Sequence, residues 1–282
     1  MPAITVNGFH ANYTDTGPAT GETILLLHAG GTSSAHWRKV APLLDGDVRL
    51  IAPDLIGFGA TDSWRGDREL THDDQADLVA GLLDHLDVRS VHVVGHSYGG
   101  ATATRLALRY PEKIKGLVLI EPVLTPLLRQ SGDAALFQAA RILAYAFITD
   151  AEAGRAEAAW RRFIDNHNGE GTWTGLSDKA RDRFLAMTME TADAYKSNMN
   201  NCTTLADLSG IAAPTMVICG ESTCKTFRRI CAIVRERVPG CADRCIDGAG
   251  HMSPLTHPET VAVAIKAQID VANWRAMHKA AA

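Results

Sequence analysis

Short apolar runs alternate with stretches of helical spacing along most of the chain, and the alternation is broken once. Residues 4–7 and 9–15 read as an opening hairpin around Asn7-Gly8, a strong two-residue turn signal. Residues 23–27, 49–52, 91–94, 116–120, 215–219 and 243–246 are short runs that read as strands apolar throughout. Between them, helical spacing predicts helices over 35–44, 72–86, 101–110 and 226–238, with a closing helix over 258–272. Thr71 is placed to cap the second of these, with Asp73 and Asp74 in its first turn, where acids favour the helix dipole. Strands that are apolar on both faces, separated by helices, predict a mostly parallel sheet covered on both sides.

The break lies between 123 and 210, which has no convincing strand and several helix-period stretches. Leu136, Ala140, Leu143 and Phe147 share one face; Ala156, Trp160, Phe163 and Ile164 share a second. Phe184, Met187, Tyr195 and Met199 belong to one or two more, and 166–175 reads as a loop. The expected organisation is a core made of 1–122 and 206–282, with a helical cap over 123–205 above the carboxyl ends of the strands. The apolar faces pack the cap down, and Leu143, Phe147, Trp160 and Met187 are candidates to line an apolar substrate pocket.

Composition narrows the function classes. The chain has 282 residues, 46% of them hydrophobic, with a net charge of −4 and no basic run, which argues against a nucleic-acid partner. No stretch of about 18 apolar residues suggests a membrane span. The opening MPAITVNGFH lacks a basic region followed by an apolar run, so no secretory signal is expected and a cytoplasmic location is. Cysteines 202, 219, 224, 231, 241 and 245 form no CxxC pair and no zinc pattern. They read as reduced thiols, and neither a metal nor an organic cofactor is expected.

The chemistry centres on Gly95-His96-Ser97-Tyr98-Gly99, which fits GxSxG between the 91–94 strand and the following helix. In this motif the serine sits on a strained strand-to-helix turn with its hydroxyl above the sheet. A serine needs a base to take its proton, and the base needs a third group to fix its tautomer. His251, in a glycine-rich loop after the 243–246 strand, is the best candidate base. Of the other histidines, His28 buttresses the loop after the 23–27 strand. His96 should point away from the pocket. His72, His85, His92, His257 and His278 read as surface or capping residues, and His10, His36 and His167 have no motif context.

These motifs resemble the α/β-hydrolase fold family over nearly the whole chain. The stretches that carry the resemblance are LLLHAGG at 25–31, APDLIGFGATD at 52–62, VGHSYGG at 94–100, GLVLIEP at 116–122, PTMVICGE at 214–221 and GAGHMSPLTHPE at 248–259. The resemblance implies an eight-stranded, mostly parallel α/β sheet, a Ser97–His251 pair, and an oxyanion hole from the N–H groups of Tyr98 and Gly30, although Ala29 stands where that loop usually has glycine. The family acid usually follows the seventh strand as the aspartate of GExD; here the residues are Gly220-Glu221-Ser222-Thr223. Glu121, at the end of the sixth strand, then becomes the expected acid, an arrangement similar to certain dehalogenases and lactone hydrolases of the fold. Glu221 and Asp247 are the fallback acids, and Asp54 reads as a structural turn residue. The serine argues against dehalogenase and epoxide hydrolase chemistry, where the nucleophile would be aspartate. The expected activity is hydrolysis of a small apolar carboxylic ester or lactone. Carbon–carbon bond or amide hydrolysis on the same triad, or a receptor-like role with weak turnover, fits the same residues.

Overall fold

A computed structural model describes residues 2–44 and 46–280. The opening hairpin joins β1 (Ala3–Val6) to β2 (Phe9–Thr16), and Asn7 and Gly8 both take positive φ, as a type I′ turn requires. The remaining strands are β3 (Glu22–Leu27), β4 (Val48–Pro53), β5 (Val91–His96), β6 (Ile114–Ile120), β7 (Thr215–Gly220) and β8 (Ala242–Ile246). They form one eight-stranded sheet in the order β1-β2-β4-β3-β5-β6-β7-β8. β1 and β2 are antiparallel to their neighbours and the other six run parallel.

The two sheet faces explain the unbroken apolar runs. Leu25, Leu27, Val93, Leu117, Leu119 and Val217 pack on one side against α1 (His72–His85), α2 (Tyr98–Arg109) and, after β7, the helix Lys225–Arg237. Ile24, Leu26, Val94, Val118, Ile120 and Ile218 pack on the other against Trp37, Val40, Leu44 and the closing helix Pro258–Ala280. β8 departs from the expectation: four of its five residues are exposed, because it is the free edge of the sheet. The stretch 35–44 is two short 3-10 turns, Ser34–Trp37 and Ala41–Leu44, and not one helix. Pro42 lacks an N–H and its ring would collide with the carbonyl four residues back.

The expected cap on α1 is present in full: Thr71 Oγ1 accepts from Asp74 N–H while the Asp74 carboxylate accepts from Thr71 N–H. Helix α2 begins at Tyr98, three residues earlier than its spacing suggests, because Gly99 and Gly100 are already helical. Between β6 and β7 the chain is helical, as α3 (Pro126–Gln130), α4 (Ala134–Glu152), α5 (Ala156–Asn168), α6 (Thr172–Gly175), α7 (Asp178–Leu185), α8 (Thr188–Met199) and α9 (Leu205–Ser209). The expected loop 166–175 is thus mostly helical. This segment has a core of its own, built from Phe147, Ile148, Ala159, Trp160, Ile164 and Trp173. After β7 and β8 come α10 (Lys225–Arg237), α11 (Ser253–Thr256) and α12 (Pro258–Ala280), the last eight residues longer than predicted.

Candidate active site

Four strand ends converge at the carboxyl edge of the parallel sheet, where sites of open α/β sheets form. β5 runs into Ser97, β6 into Glu121, β7 into the turn holding Thr223, and β8 into the loop holding His251. The backbone ladder continues one step past the strands: Ser97 N–H donates to Ile120 O at 2.9 Å and Glu121 N–H to Ile218 O at 3.0 Å. Ser97 has φ 56° and ψ −114°, and Glu121 has φ 41°. Left-handed backbone at non-glycine residues is costly and gathers at functional sites. The glycines of the motif follow from close approach: a Cβ at Gly95 would strike the carbonyl of Gly99, and one at Gly99 the carbonyls of Leu27 and His28.

The side chains form a connected line. Ser97 Oγ lies 2.9 Å from His251 Nε2, and His251 Nδ1 lies 2.7 Å from Glu121 Oε2. A buried carboxylate only accepts, so Nδ1 carries the proton and Nε2 is the acceptor for the serine hydroxyl. Glu121 is fully buried and takes two further donors: Gly220 N–H on Oε1 at 2.7 Å and Thr223 Oγ1–H on Oε2 at 2.7 Å. Thr223, standing where the resemblance would place an aspartate, is therefore a donor to the Glu121 carboxylate. The fallback Glu221 instead accepts from Gly248 N–H at 2.8 Å and shapes the His251 loop.

Gly30 faces Tyr98 across the elbow; a Cβ on Gly30 would lie 3.5 Å from Tyr98 Cβ. Tyr98 is held by Gln75, whose Nε2 donates to the phenol oxygen at 3.1 Å and whose Oε1 accepts from Ile56 N–H. Burial pushes the Tyr98 phenol up to about 12, so it stays neutral. His28 buttresses this loop as expected: its Nε2 accepts from Leu55 N–H at 3.0 Å and its Nδ1 donates to Ala29 O at 2.8 Å. Asp54 is the expected turn residue, accepting from Ser34 N–H and Ala60 N–H.

The four candidate pocket residues do not share one lining, although Phe147 and Trp160 pack edge to face with centroids 5.1 Å apart. The tip of Trp160 reaches Gly31, where a Cβ would lie 3.2 Å from Trp160 Cη2. Leu143 and Phe147 line a small cavity inside the helical segment with Arg162, Phe163 and Tyr195. Met187 packs against the main core.

Several histidines are placed where their sequence context gave no hint. His72 is buried between Thr102 Oγ1 at 3.0 Å and Asn198 Oδ1 at 2.9 Å, and His92 is buried too; neither is a surface residue. His96 does turn away from the serine, and its Nε2–H donates to the backbone carbonyl of His251 at 2.8 Å. His36 is buried against it, with Nε2 3.0 Å from His96 Nδ1. A histidine without a motif carries no signal that separates these fates.

Burial lowers the His36 imidazole to about 3 and the His72 imidazole to about 4, against an ordinary 6.5. Below pH 6.5 the unfolded chain binds protons that these two rings refuse, so stability is lost as pH falls from 6.5 toward 4. At pH 5 the two together should cost roughly 4 kcal/mol relative to neutral pH. Urea unfolding across this range should show a falling midpoint, and His72→Gln should flatten the slope. A midpoint constant from pH 7 to pH 5 contradicts this.

Comparison with known proteins follows the same lines. The profile of the alpha/beta hydrolase fold matches residues 22–258. The 2-hydroxymuconate semialdehyde hydrolase of a Pseudomonas species is 37% identical over 116 residues, 40% of each chain. The chain thus spans about two fifths of the length of that curated relative. Among solved structures, an alpha/beta hydrolase enzyme from a Medee basin deep-sea metagenome library superposes with a TM-score of 0.80 at 19% identity, covering 94% of this chain and 95% of that one. The enol-lactonase of Burkholderia xenovorans superposes with a TM-score of 0.73 at 18% identity, covering 95% of this chain and all of the other.

Proposed function

Since the chain belongs to the alpha/beta hydrolase fold family, we propose that it is a serine hydrolase acting on a small apolar carboxylic ester or lactone through an acyl-enzyme. The observation that carries this reading is the unbroken line Ser97–His251–Glu121, with spacings of 2.9 and 2.7 Å. Ser97 Oγ attacks the carbonyl carbon as His251 Nε2 takes its proton. The carbonyl oxygen becomes an oxyanion, and the N–H groups of Tyr98 and Gly30 face it at the amino end of α2, whose dipole favours negative charge. His251 then passes the proton to the leaving alkoxide, the carbon–oxygen bond breaks, and an acyl-serine remains. Water attacks this ester with His251 again as base, and the acid product leaves. Glu121 holds the Nδ1 proton throughout and offsets the charge of the imidazolium. The helical segment 123–205 is the cap in this reading, and Trp160 at Gly31 is its contact with the oxyanion loop.

A second reading, hydrolysis of a carbon–carbon bond beside a ketone on the same triad, is favoured by the match to 2-hydroxymuconate semialdehyde hydrolase. A fluorophosphonate probe tests what both share, because phosphonylation requires an activated hydroxyl. Stoichiometric labelling of Ser97 that is lost in His251→Ala is expected; an unlabelled wild-type protein overturns the proposal and favours a receptor-like role. A screen of lactones, short and long acyl esters and vinylogous diketones then separates the two readings by relative kcat/KM.

A further inference from the structure

The hydrogen bonds on His251 fix where its ring nitrogens lie, but they leave the faces of the ring unheld. Glu121 takes Nδ1, Ser97 takes Nε2, and His96 holds the backbone carbonyl. The ring face is met by Phe227, on the first turn of α10. The phenyl and imidazole centroids are 4.0 Å apart and the planes differ by 8°. The other aromatic neighbour, His96, is tilted by 43° at 4.9 Å.

This geometry has a chemical meaning. Two neutral aromatic rings avoid a face-to-face sandwich, because their negative faces repel, and prefer an offset or edge-on arrangement. Elsewhere in this protein aromatic pairs occur both edge-on, as Phe147–Trp160 at 88°, and stacked, as Phe9–Trp64 at 10° with centroids 5.7 Å apart. A cation over a phenyl face is the opposite case and is attracted by the same quadrupole. With its face 4.0 Å from the imidazole centroid, the Phe227 ring attracts an imidazolium more strongly than the neutral ring. We propose that Phe227 is the positioning residue of His251: its ring locks the imidazole plane in line between Ser97 and Glu121 and stabilises the imidazolium formed when Ser97 gives up its proton. This rests on the serine hydrolase reading for its catalytic consequence, while the effect on His251 itself can be read without a substrate.

The other titratable groups near His251 do not account for the stack. Glu121 on β6 bonds in the ring plane and not across its face. His96 on β5 and His36 behind it are kept neutral by burial. Arg228, next to Phe227 on α10, turns its guanidinium to the carbonyls of Glu221 and Thr223. Cys219 on β7 and Cys231 on α10 interact with each other and with Glu121.

The test separates ring electronics from ring shape. Phe227 is replaced site-specifically by a trifluorinated phenylalanine, which fills nearly the same space with its quadrupole cancelled. Phe227→Leu and Phe227→Tyr are made alongside. The readouts are the pH dependence of kcat/KM on a 4-nitrophenyl ester and the titration of the His251 ring by imidazole NMR. Loss of the quadrupole destabilises the imidazolium, so the His251 midpoint and the acid limb of the profile should move to lower pH by about half to one unit. kcat should fall about three- to tenfold. Phe227→Leu should move the midpoint the same way, and Phe227→Tyr should restore the wild-type profile. A trifluorinated variant with an unmoved midpoint, or Phe227→Leu with a midpoint shifted upward by admitted water, overturns the inference. If the NMR midpoint moves as expected while the wild type neither takes the fluorophosphonate label nor turns over esters, the clamp stands and the hydrolase reading fails.

Discussion

Ser97→Ala should reduce turnover by about 10⁴ to 10⁶ while leaving the fold and substrate binding in place. The serine hydroxyl has one side-chain partner, His251 Nε2, so its removal strips no other hydrogen bond from the site. The backbone contacts that hold the elbow belong to the main chain and survive: Ser97 N–H to Ile120 O, and Gly100, Ala101 and Val123 N–H to Ser97 O. Alanine bears the same positive φ as serine, with no added bulk in a site crowded by Gly95 and Gly99. The loss should therefore appear in kcat and not in the melting temperature. What activity remains comes from the oxyanion donors and from binding alone. Near-wild-type hydrolysis by a folded Ser97→Ala protein would remove the nucleophile from the proposed mechanism.

Glu121→Gln should lower kcat by about 10⁴, with KM little changed. The reason is a count of donors. Glu121 accepts from Gly220 N–H on Oε1 and from Thr223 and His251 on Oε2. A glutamine has one acceptor oxygen and one amide nitrogen, which donates. Gly220 N–H is a backbone donor that cannot rotate, so the glutamine oxygen goes to it and the NH₂ turns to His251. The imidazole must then accept at Nδ1 and carry its proton on Nε2, facing Ser97, where it can no longer act as a base. Thr223→Ala removes one donor of the three and should cost at most a few-fold, because the carboxylate keeps both its charge and its hold on His251. Steady-state kinetics with melting curves for both variants check this. If Glu121→Gln stays active while Glu221→Gln or Asp247→Asn loses activity, the acid is elsewhere.

How much of this was readable beforehand depends on the range of the physics involved. The strands and their faces were legible because side-chain period and burial are local: Ile24 to Leu27 supply alternate residues to opposite faces whatever surrounds them. The Asn7-Gly8 turn, the Thr71 cap and the elbow at Ser97 were legible for the same reason, since each rests on a few adjacent residues. Pro42 was equally local, and its veto on a helix over 35–44 was there to be read. Ser97 and His251 were expectations from their own sequence settings and Glu121 from the family resemblance, and the geometry brings these three residues together.

The tertiary structure decided everything that depends on which strands are neighbours. The order β5-β6-β7-β8 sets Ser97, Glu121, Thr223 and His251 on adjacent strand ends, and so turns Thr223 from a missing acid into a donor to the one present. It also decided the fate of residues whose type is ambiguous. Histidine is stable buried or exposed according to its partners, so nothing local distinguishes buried His36, His72 and His92 from exposed His85. Phe227 reads along its helix as one more apolar residue of α10, and only the packing of that helix beside the β8 loop lays its ring on His251. Local sequence determines which elements form and which side chains carry reactive groups. Contact between those groups is set by strand order and rotamer, which depend on the whole fold at once.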